Sequence, residues 1–150
     1  METIFVLSPP IEENDMSLRE EDAGIESAAL RYTVLQGKTN EFLKRAEDRH
    51  LSGTPGTVYL KKLGHRALTN ADFETLVKEL GTDEDRQTVV DFAQAQLVLG
   101  ERLKTTRAIG MVLEQANITR DLFYKRAKRP DLWKPEEVTA LMEVLDRLRV

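Results

Sequence analysis

From residue 69 onward, apolar residues recur at intervals of three and four, the spacing of a helix face. Phe73, Leu76, Val77 and Leu80 make one such stripe, with Thr69 or Asn70 as its cap, Asp72 and Glu74 in its first turn and Gly81 as its stop. Thr82, followed by Asp83, Glu84 and Asp85, opens a longer helix to about Gly100. Its apolar residues Val89, Val90, Phe92, Ala93, Leu97, Val98 and Leu99 cover so much of its circumference that it is read as a core spine or a self-association face. Ile109, Val112, Leu113 and Ala116 form the face of a helix starting near Thr105 or Thr106. Asn117 suits a left-handed turn, and Thr119 caps a helix from Arg120 to about Lys128, with Leu122, Phe123, and the Arg126 stem or Ala127 turned inward. Pro130 ends it. Pro135, with Glu136 and Glu137 behind it, starts a last helix whose stripe is Val138, Leu141, Val144, Leu145 and Leu148.

The first half is less sharply written. Residues 1–22, with Pro9, Pro10, Glu12, Glu13, Asn14 and Asp15, offer too little apolar surface to offset ordering entropy, which predicts a disordered acidic arm. A helix including Ile25, Ala28, Ala29 and Tyr32 follows, ending near Gly37, and Thr39 is placed as the cap of a short helix with Phe42, Leu43 and Ala46. Residues Ser52 to Gly56 are a break rich in turn formers, after which residues 57–60 lean towards helix over strand. The fold class expected is therefore all-α: arm over 1–22, helical region over 23–100 with a homodimer face at 89–99, and a C-terminal helical unit over 101–150.

Composition narrows the function classes. With 150 residues, 41% hydrophobic and 32% charged, the chain is of globular type. It has no cysteine, which removes disulfides and thiolate metal sites. The opening apolar run, Ile4 to Leu7, is too short for a signal peptide, and no segment has the length of a membrane span, so a cytoplasmic protein without membrane contact is expected. The two histidines, His50 and His65, stand in no metal-ligand or nucleophile spacing and read as surface or half-buried residues. Gly53 to Gly56 lacks the Gly-Lys-Ser/Thr of a phosphate loop. Neither an enzyme nor a bound cofactor or metal is expected.

Charge is distributed against the net value of −4. Residues 1–30 carry eight acidic side chains and only Arg19 against them, residues 31–100 balance, and residues 101–150 hold eleven basic and eight acidic. Six of the basic residues, Arg120, Lys125, Arg126, Lys128, Arg129 and Lys134, lie within fifteen positions beside Phe123, Tyr124 and Trp133. A basic, aromatic-bearing, capped helix in an acidic protein points to a nucleic-acid backbone. The acidic arm is a candidate site for a protein partner, or simply solvated surface.

Helix, turn at Asn117 and Ile118, Thr119-capped helix, extended link from Pro130 to Trp133 and closing helix together resemble the helix-turn-helix of the lambda-repressor-like family over about residues 103–148. Leu113, where the family keeps a small residue, and Arg126, where it often keeps an apolar one, depart from the pattern. The resemblance implies a prokaryotic or phage transcriptional regulator binding duplex DNA, its second helix in the major groove. Thr119, Arg120, Asp121 and Tyr124 would then contact bases, Arg120 foremost because a guanidinium can bridge both guanine acceptors. Lys125, Lys128, Arg129 and Lys134 would hold phosphates, and Trp133 would pack between the last two helices. The alternative is a non-enzymatic interaction module, an oligomeric helical adaptor or antitoxin-like protein, whose basic C-terminal helices bind an acidic partner.

Overall fold

The computed structural model describes the backbone of residues 9–148 and the side chains of residues 19–148. Every regular element among them is helical: α1 Pro9–Gln36, α2 Thr39–Arg45, α3 Pro55–Lys62, α4 Asn70–Leu80, α5 Asp83–Lys104, α6 Ile109–Gln115, α7 Arg120–Lys128 and α8 Pro135–Leu148, with short 3-10 turns at Asp48–His50 and Pro130–Leu132. The chain divides into two compact units. One is Arg31–Phe92; the other joins the described residues up to Leu30 with those from Ala93 onward. The boundaries thus fall inside α1 and α5, whereas the sequence pattern had suggested consecutive blocks.

The disordered arm expected over 1–22 is corrected in its second part. Residues 1–8 lie outside the described residues, but 9–22 belong to α1. At Asp22 a tertiary contact holds the helix: the Arg102 guanidinium donates to both carboxylate oxygens, at 2.9 and 3.2 Å, and to the Thr106 hydroxyl at 2.9 Å. A carboxylate that looks like tail solvation in one dimension is one half of a two-pronged ion pair in three.

In the unit Arg31–Phe92, Tyr32 is the hub. Its ring stacks on Phe92 with centroids 4.2 Å apart and meets the edge of Phe73 at 5.7 Å. Burial, helped by Glu74, pushes its hydroxyl up to about 12. Leu35, Phe42, Leu51, Val58, Leu76 and Val77 complete the core. The ends of these helices follow local chemistry. Thr54 caps α3 by accepting from the Thr57 amide, and Pro55 stands at its first position. Thr69 and Asp72 form a reciprocal capping box at the start of α4, and Gly81 stops it. Thr39 differs from expectation: it is the first residue of α2, and its hydroxyl donates back to the Gln36 carbonyl instead of capping.

The second unit is built on Ile25, Ala28 and Ala29 of α1, Ala95, Leu99 and Leu103 of α5, Val112 and Leu113 of α6, Ile118, Trp133, and the α8 stripe Val138, Leu141, Met142, Val144 and Leu145. α6 packs on α8. The Gln96 side-chain amide donates to the backbone carbonyls of Trp133 and Asp131, at 2.8 and 3.2 Å, and ties the link before α8 to α5. That link is not extended, as expected, but a 3-10 turn over Pro130–Leu132. α5 runs four residues past Gly100, and α6 begins only at Ile109, after Ala108 in the left-handed region at φ 53°.

Candidate nucleic-acid interface

The turn between α6 and α7 is decided by three residues. Asn117 takes φ 61°, the left-handed conformation for which its short side chain is suited. Its amide donates to the Glu114 carbonyl at 3.1 Å, and the Ile118 amide to that of Leu113 at 2.9 Å. This is the Schellman pattern of a helix end, with Ile118 and Leu113 both buried beneath it. Thr119 then caps α7, its hydroxyl accepting from the Leu122 amide at 3.1 Å.

α7 has no buried residue. Leu122, Phe123 and Arg126 are half-buried and share one side; Ala127, an alternative inward residue, is exposed. The opposite side, spanning about 140° of the helix, presents Arg120, Asp121, Tyr124, Lys125 and Lys128 to solvent. Tyr124 is 56% exposed, with its ring 5.8 Å from that of Phe123. Among the described residues neither Lys125 nor Lys128 has an acidic partner within ion-pair distance.

The remaining basic residues are engaged differently. Arg126 grips Glu137 through two hydrogen bonds, at 3.0 and 3.3 Å, while Glu137 also accepts from the Lys134 amide at 2.9 Å. An arginine at a position where an apolar residue was anticipated is thereby neutralised against α8. Arg129 bridges Asp131 at 3.0 and 2.8 Å; the hydrogen bonds raise the pKa of Arg129 and lower that of Asp131. Lys134 is exposed. The Arg120 guanidinium lies back over α6, against Gly110. Trp133 is 2% exposed, in the packing role assigned to it.

A second polar cluster lies in the unit Arg31–Phe92 and left no trace in the sequence pattern. The Lys61 ammonium, 4% exposed, donates to Asp72 at 2.6 Å and to the carbonyl and hydroxyl oxygens of Ser52 at 2.9 and 3.3 Å. Asp72 also accepts from the Ser52 amide and hydroxyl and the Thr69 amide. Burial would raise the Asp72 carboxyl, but these hydrogen bonds, Lys61 foremost, hold it well below the ordinary carboxylate range. Serine, lysine and aspartate in contact suggest a nucleophile and its base. Here the Ser52 hydroxyl already donates to Asp72, and the hydrogen bonds tie the turn at Ser52 and the end of α3 to the start of α4. His50 is likewise corrected from surface or half-buried to buried: it is 4% exposed, and its Nδ1 accepts from the Glu47 amide at 2.9 Å.

Among the described residues, no helix is long and apolar enough to cross a membrane, and no group of three or more His, Asp or Glu could hold a metal ion. Compared with family models, curated proteins and solved structures, the chain finds no match.

Proposed function

We propose that this protein binds duplex DNA through α7 and acts as a cytoplasmic transcriptional regulator of the prokaryotic or phage type. The observation that carries the reading is the exposed side of α7: a capped helix whose Lys125 and Lys128 have no acidic partner among the described residues, Tyr124 beside them, in a protein of net charge −4. With Asp121 as the acid on that side against Arg120, Lys125 and Lys128, the exposed face keeps a net positive charge, which a polyanion would neutralise. The opening turn of α7 would enter the major groove, with Arg120 and Tyr124 nearest the base edges beside Thr119 and Asp121. Thr119 already uses one lone pair of its hydroxyl to accept from the Leu122 amide, so the hydroxyl proton and the second lone pair are what it could offer to a base. Lys125, Lys128 and Lys134 would take phosphates, and Arg129 could join them by leaving Asp131.

Fluorescence anisotropy against a mixed pool of duplex DNA, at low and physiological salt, tests the reading. Binding should weaken steeply with salt, and Lys125→Ala with Lys128→Ala should reduce the slope of log K against log salt by about 2. Absence of binding at low salt would reject it and leave the interaction-module reading.

A further inference from the structure

α5 leaves one side in solvent although that side carries large apolar residues. Val90 is 59% and Leu97 57% exposed, and Ala93 and Gln94 between them are exposed too. At about 100° per residue, Val90 and Leu97 point in nearly the same direction, and Asp83, Arg86, Glu101 and Lys104 all fall within about 30° of the line midway between them. The six side chains thus share one face of a single unbroken helix. From its N-terminus the face runs acid, base, Val, Leu, acid, base. Its ends are already marked by two pairs along the helix, Arg86 with Asp83, and Lys104 with Glu101 at 3.1 Å.

The spacing has a symmetry that a core spine does not need. Val90 and Leu97 are equidistant from the peptide between Ala93 and Gln94; so are Arg86 and Glu101, and so are Asp83 and Lys104. Reversing the helix about that point places each charge level with its opposite. We propose that this face binds a second copy of the same chain, the two α5 helices packing antiparallel about a two-fold axis at Ala93 and Gln94. Val90 then lies level with the partner's Leu97, Asp83 with the partner's Lys104, and Arg86 with the partner's Glu101. Each contact occurs twice, as an isologous interface requires. Ala93 adds little bulk near the axis, so the helices can approach. A parallel pair would instead set every charge beside its own copy. A partner of unrelated sequence would account for the apolar centre but not for the sign-matched ends. The proposal is independent of whether the protein binds DNA.

Sedimentation velocity of the full chain over a wide concentration range tests it, with far-UV circular dichroism confirming helicity in each variant. The wild type should pass from monomer to dimer as concentration rises. Leu97→Glu, at an exposed position, should keep its helicity and remain monomeric. Lys104→Glu should weaken association several-fold, and adding Asp83→Lys to it should restore association. A wild type that stays monomeric throughout would assign the face to some other partner and overturn the proposal. So would a Leu97→Glu protein that dimerises like the wild type. A double variant weaker than Lys104→Glu alone would overturn the antiparallel arrangement.

Discussion

The guanidinium of Arg120 occupies the space that a side chain on Gly110 would need: Arg120 Nη2 stands 2.9 Å from where a Cβ at Gly110 would be. The first residue of α7 is thereby folded over α6. Because the obstructing group is the far end of a flexible side chain, Gly110→Ala should displace Arg120 without unfolding the unit. Relief of glycine's backbone entropy should leave stability unchanged or raise it by up to about 1 kcal/mol. Thermal unfolding followed by circular dichroism measures this; a marked loss of stability would mean that α6 cannot tolerate the added methyl group.

Arg120 and Lys128 should separate in DNA binding. Arg120→Ala is expected to weaken binding to a selected operator by about 1–3 kcal/mol while sparing nonspecific DNA. Lys128→Ala should weaken both alike. Parallel titrations against operator and random duplex decide it, and equal losses from the two variants would remove the base-reading role from Arg120.

Arg126 belongs to the fold and not to the exposed side of α7. Arg126→Ala strands Glu137 in a half-buried position and should cost about 1–3 kcal/mol of stability. Nonspecific DNA affinity should change far less than in the Lys125→Ala plus Lys128→Ala protein. Urea unfolding and anisotropy on the same samples give both numbers; a DNA loss as large as the double variant's would return Arg126 to the binding face.

Lys61 and Asp72 should give the protein an acid limb. The folded Asp72 carboxyl lies below its ordinary value of 3.8, and Asp85, held by the Thr82 amide and Lys38, is lowered as well. Depressed values of this kind contribute stability above the unfolded-state pKa, and the contribution is lost as pH falls through the folded one. Stability should therefore hold from neutral pH down to the ordinary carboxylate range and decline below it. Lys61→Ala leaves a buried carboxylate unpaired and should cost about 3–5 kcal/mol at neutral pH. Asp72→Asn should make the acid limb shallower. Denaturant unfolding across a pH series would show an unchanged limb in Asp72→Asn if this group is not its source.

Leu113 is 3% exposed beneath the turn at Asn117, so Leu113→Asp places an unpaired charge in the core and should unfold the unit that contains it. Trp133, the chain's one tryptophan, is buried in the same unit and supplies the signal. Its emission should shift to the red in the variant. A native-like spectrum would show that this side of α6 accepts a charge.

Much of the helix inventory was legible because helix ends are written in short range. Thr119 accepts an amide three residues on, Asn117 adopts a backbone angle few residues tolerate, and Pro135 removes a donor that the first turn does not use. Such signals act within four or five residues and survive in any tertiary setting. They located Arg120–Lys128, the Gly81 stop and the α8 stripe. They misjudged α1 because the acids at its start read as a tail.

What the sequence by itself determined, then, is the ends that a local cap or stop writes, such as Thr69, Gly81, Thr119 and Pro135, and which residues are basic. Only the tertiary structure decided which charges are available. Arg126 meets Glu137, Arg102 meets Asp22 across eighty residues, and Lys61 is buried on Asp72, while Lys125 and Lys128 meet no acid among the described residues. The same holds for the apolar residues of α5, of which Phe92 and Leu99 are buried while Val90 and Leu97 are not. The reason is physical: a cap depends on neighbours along the chain, but burial and ion pairing depend on which helix faces meet, and no local pattern encodes that.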